Sequence, residues 1–296
     1  MRNDHARACG IRRLLRGLAV PWALALAPAV SALAANGVQE VPLAAAYARE
    51  VDMRLTVPPD EALDYAKLLA RALDAAGHAE LAAQYVLVVD RHPLVQALLV
   101  YWLSPEGGWA LVVASPVSTG RPGEFDHFYT PLGVFSHSLD NMDFRAEGTK
   151  NKLGIRGYGE RGMRVYDFGW ATGEKGWGQG GAGRMRLQMH ATDPSLLEPR
   201  LGRRHSKGCI RIPATLNRFV DRYGLIDADY EHAASAGRHL WVLLPDRSPT
   251  PTPGRYLVVV ESARESRPVW AEWRKAPQRA TSGPRTRAAR AAASVC

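Results

Sequence analysis

The spacing of hydrophobic and polar positions changes from a helical period to a strand-like alternation near residue 84. Residues 42–55 and 59–76 are predicted to be helices, and in the second the apolar positions recur every three or four residues between Pro59 and Gly77. Beyond this point, runs rich in valine, leucine and aromatic residues are separated by turn-forming residues, which predicts strands. The predicted strands cover residues 85–90, 94–103, 109–120, 162–170, 184–192, 239–245 and 255–262.

Glycine and proline placement predicts two further features. Residues 169–183 contain seven glycines in fifteen residues, which is typical of a mobile loop or a hairpin tip. Pro213 suits the first position of a helix that ends at Gly224. A cysteine, Cys209, is therefore predicted to lie at a strand end or turn just before a helix.

Together these elements predict a mainly β domain with flanking helices, an α+β fold. The chain has 296 residues, 46% of them hydrophobic, which is enough to form a core. A proline-rich stretch predicts a linker before the last strand, and the C-terminal residues have no apolar period. The predicted organisation is a signal peptide (1–34), a helical N-terminal unit (35–80), a catalytic domain (81–247), a linker with an extra strand (248–270) and a basic disordered tail (271–296).

The first 34 residues have the pattern of an export signal. Five arginines precede an uncharged run over residues 17–34, which contains two prolines and ends in Ala-Leu-Ala, a small-x-small cleavage pattern. The mature chain is predicted to begin near Ala35 and to reside in the periplasm. An uncleaved membrane anchor is the alternative, but the prolines and the cleavage pattern favour removal of the segment.

The net charge of +9 is concentrated at the two ends of the chain. Residues 1–16 carry a net charge of +4 and residues 271–296 a net charge of +5, so the sequence between them is neutral overall. A basic binding face for nucleic acid is therefore not predicted. The basic tail suits peripheral contact with anionic polymers of the cell envelope.

Cys209 is the cysteine whose surroundings suit chemistry. Cys9 lies in the predicted signal peptide and Cys296 ends the predicted tail, so the predicted folded part offers Cys209 no partner for a disulfide. Such a residue is either an inert buried thiol or a nucleophile. A nucleophilic cysteine acts as its thiolate and needs a base in reach, usually a histidine.

Two histidines near Cys209 in the sequence are candidates for this base. His205 would lie about 13 Å from Cys209 along an extended chain. His190, in contrast, can meet Cys209 if residues 184–190 and 206–211 pair as neighbouring strands. We therefore predict that His190 is the base. A metal site formed by these three residues lacks C-x-x-C or H-x-x-x-H spacing, so neither a metal nor a cofactor is predicted.

Two motifs resemble those of the YkuD-type L,D-transpeptidases, a family of peptidoglycan cysteine transpeptidases. Residues 190–213, from HATDP to HSKGCIRIP, are similar to the family signature, in which a histidine is followed by Ser/Thr-His-Gly-Cys and then by Arg or Asn two places on. Residues 116–135 resemble an earlier family motif, in which Ser-Thr-Gly leads to Thr-Pro-x-Gly-x-Phe. The resemblance covers about residues 84–245 and implies a YkuD-like fold for the catalytic domain.

The resemblance also implies a mechanism. His190 would take the proton of Cys209, with its ring oriented by the main-chain carbonyl of Ala191. The thiolate would attack the carbonyl of the third residue of a peptidoglycan stem peptide, release terminal D-alanine and leave a thioester. An amine on another stem peptide, or on a protein, would resolve the thioester. Backbone N–H groups near Gly208 and Cys209 would stabilise the oxyanion.

Four residues around the cysteine are expected to bind substrate. Arg211 matches a family position beside the substrate, where a carboxylate would suit its guanidinium. Lys207 replaces the second histidine of the signature, so it can supply positive charge but no imidazole. His205 is a candidate substitute for that missing ring, and Ser206 is expected to contact substrate.

The expected function is that of an exported L,D-transpeptidase that cross-links the third residues of two stem peptides or anchors a protein amine. The alternatives are an L,D-carboxypeptidase or amidase on the same substrate, and a peptidoglycan-binding protein with impaired catalysis, which Lys207 motivates. The expected partners are peptidoglycan stem peptides, with an envelope protein as a second candidate acceptor and no nucleic acid.

Overall fold

The computed structural model describes residues 41–273, so the predicted signal peptide and nearly all of the predicted tail lie outside the described residues. The helices are α1 Val41–Glu50, α2 Pro59–Ala75, α3 Ala214–Tyr223 and α4 Ala228–Ser235, with 3₁₀ turns at Glu198–Arg200 and Val269–Ala271. The strands are β1 Gln84–Asp90, β2 Ala97–Leu103, β3 Trp109–Pro116, β4 Gly133–Ser136, β5 Phe144–Arg145, β6 Arg164–Glu174, β7 Ala182–His190, β8 Ile210–Arg211 and β9 Tyr256–Val260. The described chain is a mixed α/β fold with two sheets and few helices, consistent with the expected mainly β fold with helices.

The first sheet has five strands in the order β3-β2-β1-β9-β4. Its strand β1 pairs antiparallel with β2 and parallel with β9, and all of its residues are buried. Because alternate residues of a strand face opposite sides, Leu87 and Val89 join one hydrophobic cluster while Val86 and Val88 join another. Burial on both faces explains the continuous apolar run in this part of the sequence.

The second sheet has four strands in the order β5-β6-β7-β8. Leu187 and Met189 of β7 and Ile210 of β8 belong to the same hydrophobic cluster as Leu87 of the first sheet, so the two sheets share a core. The opposite face of the first sheet packs with α2, which contributes Leu69. The glycine-rich segment forms the end of the β6–β7 hairpin, and a hairpin tip is one of the two structures predicted for it.

Elements on either side of two predicted domain boundaries pack together in the structure. The predicted extra strand is β9, and it lies within the first sheet between β1 and β4, where Val258 pairs with Val88 on one side and Val134 on the other. The boundary at residue 247 therefore does not separate this strand from the five-stranded sheet. The predicted helical unit is likewise packed onto the same body, with α1 against α3 and α2 against β9.

The strand predicted over residues 239–245 is wrong. Leu240 and Val242 are buried against Tyr230 of α4, whereas Trp241 between them is 57% exposed. Their alternation therefore arises from a turn packed on a helix, in which the Leu243 N–H donates to the Leu240 carbonyl at 3.0 Å. The sequence pattern alone cannot distinguish this turn from a strand because both expose every second residue.

A fully buried arginine, Arg164, lies at the start of β6 and holds several elements together. Its Nε is 2.7 Å from Oδ2 of Asp143, and one of its terminal nitrogens is 2.7 Å from Oδ2 of Asp227 and 3.3 Å from Oδ1 of Asp221. His137 contacts the same Asp143 carboxylate at 2.9 Å. Buried charges persist only when paired in this way, so the network fixes β6 against the helical C-terminal part of the chain.

No helix within residues 41–273 is long and apolar enough to cross a membrane.

Candidate functional site

Cys209 ends a tight turn that leads through β8 into α3. The Ser206 hydroxyl holds this turn closed, since it accepts a hydrogen bond from the Gly208 N–H at 3.1 Å and donates one to the Cys209 carbonyl at 2.5 Å. Thr130, which belongs to the earlier motif, donates a hydrogen bond to the Gly208 carbonyl at 2.7 Å. The two family-like motifs therefore meet at the cysteine. Ser206 was expected to contact substrate; in the structure it is buried and supports the turn.

Gly208 must be glycine at this turn. Its φ is +137°, a conformation that residues with a side chain rarely adopt. A Cβ atom there would lie 2.7 Å from Cε of Met185 and 3.2 Å from Cβ of Phe128. The Gly208 N–H, expected as an oxyanion donor, is already bonded to Ser206. Gly208 thus positions Cys209 through backbone geometry.

The predicted pairing between the histidine and cysteine segments is present. β7 and β8 are parallel neighbours, with Met189 opposite Ile210 and His190 opposite Arg211. Extending this register by one residue places Gln188 beside Cys209, so Cys209, His190, Gln188 and Arg211 share one face of the sheet. His190 and Cys209 are 0% and 1% exposed, and the Cys209 Sγ is 3.9 Å from the Arg186 carbonyl.

The protonation state of His190 follows from its hydrogen bond. Its Nδ1 lies 2.5 Å from the Ala191 carbonyl, and because a carbonyl can only accept, Nδ1 bears the proton. The remaining Nε2 is buried and has no hydrogen-bond partner among the described residues. Burial, together with the positive charge of Arg211, lowers the pKa of His190 to about 3. His190 is therefore a neutral imidazole whose Nε2 lone pair is available as a base.

Three residues that contact His190 or are linked to that contact by hydrogen bonds were not identified from the sequence. The Tyr158 ring packs edge-on against His190, with 4.7 Å between ring centroids. Its hydroxyl donates to Oε1 of Gln188 at 3.1 Å, and Gln188 Nε2 donates to Oδ2 of Asp167 at 2.9 Å. The alternation of β7 could have identified Gln188, two residues before His190. Tyr158 lies in a loop distant in sequence and has no comparable signal.

His205 contacts two arginines, Arg211 and Arg200. Arg211 donates to the His205 carbonyl at 2.5 Å and lies 3.3 Å from Nδ1, while Arg200 lies 3.0 Å from Nε2. Burial and then the charges of Arg211, Arg200 and Arg121 lower the pKa of His205 to about 4. His205 is therefore a neutral ring that helps to position Arg211, which is itself almost fully buried.

The Lys207 side chain forms an ion pair with a residue of the earlier motif. Its Nζ is 3.4 Å from Oδ2 of Asp126, and its carbonyl accepts a hydrogen bond from the Phe128 N–H at 2.8 Å. The ammonium is partly exposed, so this ion pair contributes at most about 1 kcal/mol. The residue that departs from the family signature thus forms a contact between the two motifs.

No protein-family model matches this chain, and no curated protein matches it. Within residues 41–273, no group of three or more His, Cys, Asp and Glu side chains is arranged to hold a metal ion. The groups at the site are a buried thiol, a neutral imidazole and nearby arginine charge. Such a set suits nucleophilic attack by sulfur on a carbonyl.

Proposed function

We propose that this protein is an exported cysteine acyltransferase of the YkuD-type L,D-transpeptidase kind that acts on peptidoglycan stem peptides. The observation that supports this most directly is the state of His190. The Ala191 carbonyl fixes the proton on Nδ1 and leaves Nε2 as a base on the sheet face shared with Cys209. The two motifs that meet at the cysteine and the predicted export signal support the same proposal.

The proposed first step forms a thioester. The Cys209 proton moves to Nε2 of His190 as Sγ attacks the carbonyl carbon of the third stem residue. The C–N bond to terminal D-alanine then breaks, and the departing amine takes the proton back from His190. The Ala191 carbonyl holds the imidazole in the orientation that both transfers require, so no second histidine is needed for proton transfer.

The proposed second step releases the acyl group to an amine. The amine nitrogen attacks the thioester carbonyl, the C–S bond breaks, and the amine proton passes through His190 to Sγ. Attack by water in place of the amine gives the carboxypeptidase reaction from the same intermediate. Lys207 is paired with Asp126, and neither proposed step uses a group at its position.

The decisive experiment measures the thioester directly. The folded protein is mixed with a carbapenem or a disaccharide-tetrapeptide, and the intact mass is recorded after acid quenching. We expect one acyl adduct on the wild type, none on Cys209→Ala, and adduct formation slowed at least a hundredfold, on the order expected for loss of a general base, in His190→Asn. An unmodified wild type, or an adduct that persists in Cys209→Ala, would contradict the proposal.

The products then distinguish the alternative functions. Dimers that have lost D-alanine indicate cross-linking, whereas monomers that have lost it indicate carboxypeptidase activity. An added lysine-containing peptide that becomes attached indicates anchoring of a protein. Binding to purified peptidoglycan without any adduct or product would favour the impaired binding protein.

A further inference from the structure

His137 is a fully buried histidine that has no part in the proposed reaction. It follows β4, and both of its ring nitrogens face hydrogen-bond acceptors. Its Nδ1 lies 2.9 Å from the Ile226 carbonyl, and its Nε2 lies 2.9 and 3.0 Å from the two oxygens of the Asp143 carboxylate. A carbonyl and an ionised carboxylate can only accept, so each nitrogen has to donate a proton. The geometry therefore requires an imidazolium, in contrast to the neutral ring of His190.

The charges around His137 balance only if this ring is charged. The ion-paired groups beside it are two guanidinium groups and three carboxylates, which belong to Arg145, Arg164, Asp143, Asp221 and Asp227. Together they carry one net negative charge, and no side chain among them is more than 11% exposed. An unbalanced charge in the interior is costly because burial removes its hydration. A second proton on His137 makes this cluster neutral.

The aromatic groups that face His137 are neutral and suit a cation. The Tyr230 ring of α4 stacks on the imidazole with 4.8 Å between ring centroids, and the Tyr166 ring of β6 lies 5.6 Å away at an angle of 62°. Burial raises the pKa of both phenols, so neither supplies a charge. The face of an aromatic ring attracts a cation, so the stacked Tyr230 favours the charged form of His137.

The carboxylates decide which group in the cluster holds the proton. Burial alone would lower the pKa of His137, but Asp143 and then Asp227 raise it above the ordinary value of 6.5. Burial alone would raise the pKa of Asp143, but His137 and Arg164 hold it below its ordinary value. Burial raises the pKa of Asp227, which makes Asp227 the alternative holder. A proton on its Oδ1 would have no acceptor within residues 41–273, whereas both protons of His137 have one.

We propose that His137 is a buried imidazolium at neutral pH, and that the loss of its proton at alkaline pH is a switch that loosens the segments joined by this cluster. These segments are the connection from β4 to β5, the start of β6 and the start of α4. Without the proton, the interior keeps one unbalanced negative charge, and the ring loses one of its two hydrogen bonds. The cluster also reaches the candidate site, because Asp143 accepts from the Asp167 N–H at 2.9 Å and Asp167 accepts from Gln188.

Nitrogen-15 NMR of the full-length protein tests the charge state directly. The histidines are labelled, His137 is assigned through its contacts with the Tyr230 ring, and the ring nitrogens are followed from pH 6 to pH 10. We expect both nitrogens of His137 to bear protons at pH 7 and one of them to lose its proton in the alkaline range. His190 should show one protonated and one bare nitrogen throughout. A bare nitrogen on His137 at pH 7, with the proton on Asp227, would overturn the proposal.

Urea unfolding at a series of pH values measures the switch. The folded chain holds the His137 proton more tightly than the unfolded chain, since folding raises the pKa of this ring. Its contribution to stability is therefore fully present below about pH 6.5 and is lost as the pH rises through the folded pKa. Between these two values, we expect the equilibrium constant for unfolding of the wild type to rise about tenfold per pH unit relative to that of His137→Gln. Parallel pH profiles in the two proteins would overturn the switch.

His232→Gln is the matched control, because His232 is an exposed histidine on α4 outside the cluster. It should keep the wild-type pH profile. Adding Asp227→Asn to His137→Gln removes the unbalanced charge, so the double variant should be more stable than His137→Gln and should fold even where the single variant does not. A double variant that is no more stable than the single one would contradict the charge balance. These outcomes do not depend on the proposed activity.

Discussion

His190 makes the stability of this protein sensitive to acid in a calculable way. The pKa of His190 is about 3 in the folded chain and 6.5 in its ordinary, exposed state. A proton therefore binds the unfolded chain more tightly than the folded one. The contribution of His190 to the free energy of unfolding is fully present above about pH 6.5, and it is lost progressively as the pH falls from there toward 3.

The expected magnitude follows from these two values. Between pH 7.5 and pH 5, the unfolded chain gains the proton almost completely while folded His190 stays neutral. The resulting loss in the free energy of unfolding is about 2 kcal/mol. For a domain of this size, that corresponds to a fall of about 1 M in the urea midpoint.

The assay compares urea unfolding of the wild type and His190→Asn at both pH values. The substituted side chain does not titrate, so the difference between the two pH-dependent losses isolates His190 from every other group. We expect the wild type to lose about 2 kcal/mol more than the variant between pH 7.5 and pH 5. Equal losses in the two proteins would refute the depressed pKa, and with it the assignment of His190 as a buried neutral base.

Three further substitutions probe the frame around the site. Gly208→Ala should destabilise the fold by about 2–4 kcal/mol, because it adds left-handed strain and a Cβ 2.7 Å from Met185, and thermal melting measures the loss. Ser206→Ala should cost about 2 kcal/mol and slow carbapenem adduct formation, since it removes two buried hydrogen bonds; an unchanged adduct rate would contradict its role in the turn. Arg164→Met should cost about 3–5 kcal/mol in urea unfolding, and adding Asp227→Asn should recover part of the loss; no recovery would count against their coupling.

Much of the local structure could be predicted from the sequence because it depends on neighbouring residues. The period of α2 and the meander of β1, β2 and β3 follow from patterns within a few residues and from a glycine turn. The position of Cys209 just before α3 follows from the proline and the apolar face that come after it. The hydrogen bond between His190 and the Ala191 carbonyl, which the family resemblance implies, is also present.

The surroundings of Cys209 could not be predicted from local sequence patterns alone. The pairing of β7 with β8 was predicted only on the condition that the two segments are neighbours, and the structure meets that condition. Ser206 could be placed near the cysteine from the sequence, but its two hydrogen bonds depend on how the turn folds. Lys207 was identified as a departure from the signature, whereas its ion pair with Asp126 depends on contact between two distant motifs.

The sequence by itself determined which residues have reactive side chains and placed the helices α2 and α3 and the longer strands β1, β2, β3, β6, β7 and β9. Only the tertiary structure decided that β9 completes the first sheet, that residues 239–245 form a turn, and that Tyr158 covers His190. Each of these features joins residues far apart in the chain, and such contacts form when separate apolar faces are buried together. The hydrogen bond from His190 Nδ1 to the adjacent Ala191 carbonyl is local in the sequence, while the complete burial of His190 is a property of the assembled fold.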